Sequence, residues 1–238
     1  MRATKFEFEK RFWIISAIYF IGFALSGIDH TSFIAAVRHF VSPSIARDTP
    51  EAEQFARIVI SIGALLVFLT AALRTWGAAY LRTSVVHDTA QHSDALVADG
   101  PFRYTRNPLY LANLPMAAGI GVLASLSGFI FLVLANWIFV YRLIFREEEA
   151  LLQTQGESYR AYCRSVPRYW PSLRARLPAG DNQPQWAQAF AGESFVWIFG
   201  IAELAVAIGL RPLAALIVFP LGFVAHFIIS ARIQRRKK

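Results

Sequence analysis

The chain has a single cysteine, Cys163, so no disulfide can form within it. Charged side chains are scarce: they make up 17% of 238 residues, against about 25% in soluble domains. That deficit excludes an ordinary water-soluble domain and points to a membrane protein. Histidines number five, too few for a histidine-box di-iron centre. There is no internal repeat and no low-complexity tract. The glycine pair Gly119-Ile120-Gly121 neither follows a strand nor opens a soluble helix, so it is no dinucleotide or Rossmann-type fingerprint. It reads instead as a site of close helix packing. The net charge of +8 is scattered between apolar runs and builds no basic face, which argues against a nucleic-acid partner.

What the chain has in abundance is apolar surface, at 55% hydrophobic and 14% aromatic residues. Six candidate spans follow, at about 12–28, 55–73, 109–124, 129–145, 194–210 and 213–231. The expectation is an all-α, multi-pass transmembrane helical bundle with a cytoplasmic helical segment after the fourth span. The third and fourth spans are short, and only Ser125-Leu126-Ser127-Gly128 separates them, which predicts a tight hairpin. No breaker intervenes between the fourth span and Gly156, so that helix should run through Arg146–Gln155. The first apolar run has no small-residue cleavage site after it and reads as a retained span. With the N-terminus inside, 20 of the 24 Lys and Arg residues fall on the inner side and 4 on the outer. That bias predicts cytoplasmic termini. The outer loop at about 29–54 reads as polar connection. The proline-rich stretch 167–184 reads as an irregular cytoplasmic connector. After it, Trp186 and Phe190 suit the membrane interface. Three segments result: an N-terminal two-helix unit (1–80), a core (81–175), and a connector with a C-terminal hairpin (176–238).

Two polar blocks border the central apolar runs, and on this topology both face the cytoplasm. The first is Asp99-Gly100-Pro101-Phe102-Arg103-Tyr104-Thr105-Arg106-Asn107-Pro108-Leu109-Tyr110. Gly100-Pro101 makes a turn, and Asn107-Pro108 opens a helix. Arg103 and Arg106 can hold a carboxylate or phosphate with two nitrogens. Tyr104 and Tyr110 can flank an aromatic ring. The alternative is a plain interfacial belt of Arg and Tyr. The second block is Arg146-Glu147-Glu148-Glu149, followed by Gly156, Tyr159, Tyr162 and Val166-Pro167-Arg168. At helical spacing, Glu147 and Glu148 share faces with Leu143, Ile144, Leu151 and Leu152, while Glu149 lines up with Arg142 and Arg146. Two acids then point inward, suited to a cation or a diol. A solvated helix end is the alternative, because an unpaired buried carboxylate is costly.

The pair of blocks resembles the isoprenylcysteine carboxyl methyltransferase and phospholipid methyltransferase superfamily. The resemblance rests on Gly100, Pro101, Phe102, Arg103, Arg106, Pro108 and Tyr110, then on Glu147, Glu148, Leu151, Gly156, Tyr159, Tyr162, Val166, Pro167 and Arg168. It covers about residues 80–173. It implies a membrane-embedded pocket for S-adenosylmethionine, closed by the third and fourth helices and the segment after them. The residues so implied are Gly100, Arg106, Asn107, Pro108, Tyr110, Leu111, Glu147, Glu148 and Tyr159. Arg106 suits the cofactor's carboxylate, Glu147 and Glu148 its ammonium or diol, and Tyr110 its adenine. Arg142, Arg146 and Glu148 are the catalytic candidates, the two arginines steering an anionic acceptor or supporting the acids. The family usually has His where this chain has Asn107, and Asn carries no proton at neutral pH. Methyl transfer relies on alignment and electrostatics and needs no metal. The acceptor is expected to be lipophilic or amphiphilic, with a lipid amine, a thiol or a carboxylate all open. A nicotinamide-dependent membrane lipid reductase is the first alternative, although Pro108 departs from that pattern. A non-catalytic protein that keeps the pocket is the second.

Two weaker signals remain. His87, Asp88, His92 and Asp94 precede the first block and read as a solvated loop, with ligand or metal contact as alternatives. Asp29, Asn136, Glu203 and His226 are intramembrane polar candidates. Glu203 and His226 differ in depth by roughly 10 Å at 1.5 Å per residue, so each is expected to find a partner elsewhere.

Overall fold

In the computed structural model, residues 2–81 and 98–211 are described, together with positions 221, 222, 224 and 228. The elements are helices throughout, and no strand occurs among the described residues. The His87, Asp88, His92 and Asp94 cluster, His226 and most of the expected sixth span lie outside the described residues.

The chain opens with a short helix, α1 (Lys5–Glu9). Thr4 starts it with a capping box: the Thr4 hydroxyl accepts from Glu7 N at 3.2 Å, and Glu7 accepts from Thr4 N at 2.7 Å. Helix α2 (Arg11–Ala24) follows and tightens into a single 3-10 turn, Leu25–Gly27. The expected polar outer loop contains a helix, α3 (Phe33–Val41), begun by Ser32, whose hydroxyl accepts from Ala35 N. Its apolar stripe was masked by the polar residues around it.

Helix α4 (Pro50–Tyr80) has 31 residues, with Thr49 as its cap and Pro50 at its first position. The expected third span is instead broken into α5 (Pro108–Leu111) and α6 (Asn113–Gly121). Pro115 is the cause. It has no N–H for the carbonyl of Leu111, and its ring crowds that carbonyl. The Asn113 amide takes up nearby carbonyls instead, donating to Leu109 O at 3.1 Å and Tyr110 O at 3.4 Å. The two pieces are about 6 and 14 Å long at 1.5 Å per residue, too short to cross a bilayer.

The chain then turns back at Ser125, whose hydroxyl accepts from Gly128 N at 3.2 Å. Helix α7 (Leu126–Ser165) runs for 40 residues and changes direction at Gly156, the residue with φ 54°. Only glycine adopts that conformation readily. At about 1.5 Å per residue, some twenty residues span the hydrocarbon, which places Arg146 to Glu149 at the membrane boundary. Helix α8 (Trp186–Gly209) begins eight residues before the expected fifth span, so Trp186 and Phe190 form its first turns.

Among the described residues, three helices are long and apolar enough to cross a membrane: α4, α7 and α8. α2 is apolar but shorter. The tightest pairing is α4 against α8, followed by α4 against α6. Where α4 and α6 cross, a Cβ on Gly119 would lie 2.7 Å from Gly63 O, which accounts for the glycine there. Both ends of the bundle are tied. At one end, Ala3 N donates to Arg142 O at 2.9 Å, and Gln185 N to Ala79 O at 2.7 Å. At the other, Ser127 N donates to Asp29 at 2.9 Å, and Arg57 donates to Ile208 O. The N-terminal segment and both polar blocks therefore share one end.

The remaining polar candidates divide. Asp29 sits in the turn after the 3-10 helix and accepts from Thr31 N and Ser127 N, each at 2.9 Å. It joins that turn to the start of α7. Asn136 is buried, and its amide donates to Leu132 O one turn earlier at 2.9 Å. Glu203 is buried against Gly63, and neither of its oxygens has a partner among the described residues.

Candidate active site

The first block wraps against the chain that follows α7. Gly100–Arg103 forms a single 3-10 turn. From there the backbone pairs with the connector: Arg106 N donates to Pro167 O, Ser172 N to Tyr104 O and Arg176 N to Arg103 O, all at 2.9 Å. Side chains reinforce the seam. The Thr105 hydroxyl donates to Tyr169 O at 2.8 Å, Arg103 Nε to Leu177 O at 2.8 Å, and the Tyr162 hydroxyl to Phe102 O at 2.7 Å. The expected irregular connector is thus a strap with defined partners.

At the centre of the seam is Glu148. Arg106 donates to it from Nε at 3.0 Å and from Nη2 at 3.2 Å. Asn107 Nδ2 adds a third donor at 3.1 Å, and Arg168 Nε a fourth at 2.9 Å. The side chains of Arg106 and Glu148 are 7% and 6% exposed. The remaining Arg106 nitrogen, Nη1, donates to Cys163 O and Val166 O, both at 2.9 Å, and so closes the C-terminal end of α7. Asn107 Nδ2 also donates to Arg168 O at 2.9 Å. Arg168 lies over the Phe145 ring at 4.8 Å. Sequence reasoning placed Arg106, Asn107 and Glu148 in one site, and the structure brings them together. It missed Arg168 as a site residue, although Arg168 stands in the second motif. Outside this network, Arg106, Arg164, Arg168 and Arg176 border an open cavity of about 480 Å³.

Glu147 is differently placed. One residue on, it leaves the Glu148 network and stands beside the Tyr110 hydroxyl. Glu147, Tyr110 and Tyr19 are each half-buried. Tyr110 packs, as do Leu73, Leu114 and Tyr141, against a buried cluster of Leu111, Val140, Ile144 and Tyr169. Tyr141 and Tyr169 have ring centroids 4.9 Å apart. The Tyr169 hydroxyl is buried and has no partner among the described residues. Burial raises its pKa above the ordinary tyrosine value, so it remains a neutral donor.

The other expected site residues have structural posts. Gly100 takes φ 56° in the turn against the Tyr80 ring. Pro108 opens α5. Tyr159 is buried with Tyr162 and Val166 under the strap. Arg142 and Arg146 turn away from Glu147 and Glu148: Arg142 Nη2 donates to Glu7 at 2.7 and 2.8 Å, and Arg146 Nη1 to Ala3 O at 3.2 Å. Glu149 pairs with Arg2 at the surface. The helix face read as basic and outward is therefore the seat of the N-terminal segment. No local pattern marks this, since the pairs lie 135 to 147 residues apart.

A further buried pair locks α4 to α8. Arg74 Nε and Nη2 donate to Glu193 at 2.6 and 3.1 Å, and the Glu193 side chain is 0% exposed. Trp197 Nε1 donates to the Thr75 hydroxyl at 3.1 Å one turn along.

The sequence profile of the phospholipid methyltransferase family matches residues 56–157. By this match the stretch is similar to the phospholipid methyltransferase family. The match takes in most of α4, both short helices and most of α7, with Arg106, Asn107, Tyr110, Glu147 and Glu148. It ends before Arg168 and does not reach the N-terminal segment. Two relatives match about half of the chain. The cobalt-zinc-cadmium resistance protein CzcN of Cupriavidus metallidurans is 29% identical over 116 residues, 49% of this chain and 50% of that one. The nickel-cobalt-cadmium resistance protein NccN of Alcaligenes xylosoxydans xylosoxydans is 25% identical over 115 residues, 48% of this chain and 51% of that one. The chain spans about half the length of these relatives. No solved structure matches. The similarity to the phospholipid methyltransferase family supports methyl transfer as the general chemistry and, with the apolar helices, an integral membrane protein.

Proposed function

We propose that this protein transfers a methyl group from S-adenosylmethionine to a lipophilic or amphiphilic acceptor at the cytoplasmic face of a membrane. One observation carries the reading. The two motif blocks fold into a single network that saturates Glu148, while the neighbouring Glu147 stands beside the Tyr110 hydroxyl, and Tyr110 packs against a cluster that holds Tyr169, whose hydroxyl has no partner among the described residues. The space beside these three side chains is the proposed cofactor site.

The residues fit the cofactor. It presents an ammonium, a carboxylate, a ribose diol and an adenine, and the space offers a carboxylate, hydroxyl groups and aromatic faces. Glu147 would take the ammonium or the diol. Tyr110, Tyr141 and Tyr169 would frame the adenine. When bound, the cofactor supplies a methyl group on a positively charged sulfur, ready for displacement. The chain's part is alignment and exclusion of water. Glu148 acts at one remove: its four donors hold the first block against α7, and so fix the helix turn that presents Glu147. Asn107 fits this account, because its post calls for an amide donor to Glu148 and to Arg168 O, not for a base. The departure from the family's His therefore does not favour a non-catalytic protein.

The 20-to-4 charge asymmetry supports a cytoplasmic site with both termini on that side. An acceptor dissolved in the bilayer would meet the site at the boundary where α7 carries its acids. A lipid amine, a thiol and a carboxylate remain the acceptor classes. The experiment is calorimetry on the detergent-solubilised protein. Micromolar binding of S-adenosylmethionine or its demethylated product, on the order of −8 kcal/mol, is expected. Heat with NADPH and none with either of these would replace this reading with the reductase.

A further inference from the structure

The network around Glu148 does not balance its charges. Arg106 and Arg168 both donate to that one carboxylate, and the remaining donor, Asn107, is neutral. One positive charge is left over, beside the open cavity of about 480 Å³ that Arg106, Arg164, Arg168 and Arg176 border. No acid is among the described residues that line this cavity. Arg164 is taken by Glu157 in an exposed pair at 2.8 Å. Arg168 gives only its Nε to Glu148, and 43% of its side chain stays exposed. Arg176 is exposed and forms no salt bridge among the described residues, while its backbone N, bonded to Arg103 O at 2.9 Å, holds it on the strap. Arg168 also fixes the depth of the cavity. Its guanidinium carbon lies 4.8 Å from the centre of the Phe145 ring, and Phe145 is 20 residues into α7 (Leu126–Ser165). About twenty helical residues span the hydrocarbon, so the cavity opens where the acyl chains give way to headgroups. Between Arg168 and Arg176 the strap also exposes Trp170 and Leu173, the latter completely. Tryptophan is favoured at that level of a membrane.

We propose that this cavity binds the phosphate of an anionic phospholipid headgroup, with Arg168 and Arg176 donating to its oxygens and with Trp170 and Leu173 seated in the interface. A guanidinium offers a phosphate two parallel donors. The bound lipid neutralises the charge that Glu148 leaves over and ties the strap to the membrane. It is not the methyl acceptor, and its binding does not depend on methyl transfer. A soluble anion would satisfy the arginines but leave Trp170 and Leu173 in water. A zwitterionic lipid would bring a cation to a cavity with no acid to receive it. An anionic lipid meets both the charge and the apolar rim.

The test is a competition on the full chain in neutral detergent, with phosphatidylglycerol and phosphatidylcholine of the same acyl chains at equal concentration. Native mass spectrometry counts the lipids bound. The wild type should carry phosphatidylglycerol in excess. Arg176→Gln should reduce that excess about fivefold, the effect of one arginine at an anionic surface. Arg174 is exposed two residues away and does not line the cavity, so Arg174→Gln should change the excess by less than about twofold. Absence of any excess in the wild type would show that the cavity takes no anionic lipid. An excess unchanged in Arg176→Gln would place the lipid elsewhere. Equal reductions in the two variants would make the attraction a diffuse property of the strap. An excess abolished by inorganic phosphate at the lipid concentration would make a free anion the ligand. Each of these four results overturns the proposal, and none bears on the methyltransferase reading, which S-adenosylmethionine binding decides.

Discussion

Arg106 holds Glu148 with two of its nitrogens and the last carbonyls of the 40-residue helix with the third. One side chain therefore joins the first motif block, the acid helix and the strap that returns from it. The neighbouring Glu147 takes no part in this joint. Two adjacent acids that look equivalent in sequence have separate partners, Glu148 the Arg106, Asn107 and Arg168 donors and Glu147 the Tyr110 hydroxyl.

That division predicts opposite phenotypes. Glu148→Gln leaves Arg106 and Arg168 short of a charge partner, and breaking a buried pair costs about 3–5 kcal/mol. Its thermal midpoint in detergent should fall clearly. Glu147→Gln should melt near the wild-type midpoint but bind S-adenosylmethionine about tenfold to a hundredfold more weakly. Glu149→Gln, which loses only an exposed pair with Arg2, should alter stability by about 0–1 kcal/mol and leave binding unchanged. Thermal melts and titrations of the three variants decide the matter. Interchanged results for Glu147 and Glu148 would reverse the assignment.

The Arg74–Glu193 pair should behave as a lock between α4 and α8 that depends on both partners. Glu193→Gln alone strands a guanidinium against apolar helices and should destabilise by about 3–5 kcal/mol. Replacing the pair with Met at 74 and Leu at 193 should recover most of that loss, because apolar substitutes avoid the desolvation of both charges. A double variant no more stable than the single one would show that the pair contributes through something other than its charges.

Asp29 gives a pH dependence with a defined sign. The N–H groups of Ser127, first, and of Thr31 push its pKa down to about 2. A depressed value means that the contribution is complete above the ordinary aspartate range near 4, and fades as pH falls toward 2. Thermal midpoints recorded downward from pH 5 should drop in the wild type. Asp29→Asn should start lower at pH 5 and show a shallower decline. Parallel curves for the two proteins would place the acid sensitivity elsewhere.

Sidedness can be read by labelling. In a Cys163→Ala background, a cysteine at Ser44 should react with an impermeant maleimide from outside intact cells. A cysteine at Ser172 should react only after permeabilisation. The reverse pattern would put the site on the outer face, away from cytoplasmic cofactor.

Much of this site was legible in the sequence because its motifs are local and its acids lie on one helix. Spacing pointed Glu147 and Glu148 inward and marked Gly156 as the end of the straight helix, while the family resemblance tied Arg106 and Asn107 to the same place. Periodicity did not resolve how Glu147 and Glu148 differ, since adjacent helical residues diverge by about 100° and both directions were apolar. The break between α5 and α6 was written in Pro115 but hidden inside an unbroken apolar run. Helix α3 was likewise submerged in a loop that looked polar as a whole. Contacts between Glu7 and Arg142, or Arg74 and Glu193, join positions more than a hundred residues apart, and no local pattern marks them.

The order in which Glu148 gains its partners has a consequence for biosynthesis. Arg106 and Asn107 are made first, Glu148 follows 41 to 42 residues later, and Arg168 only after a further 20. The nascent acid can meet Arg106 as α7 enters the membrane, but the last charge and the strap are still unmade. Until they arrive, Cys163 O and Val166 O have not been formed for Arg106 to close upon. This end of the core is thus sealed late, by a stretch of chain that must emerge before α8 begins. A chain halted between Glu148 and Arg168 would have its acid and its first two donors but neither the last charge nor the strap.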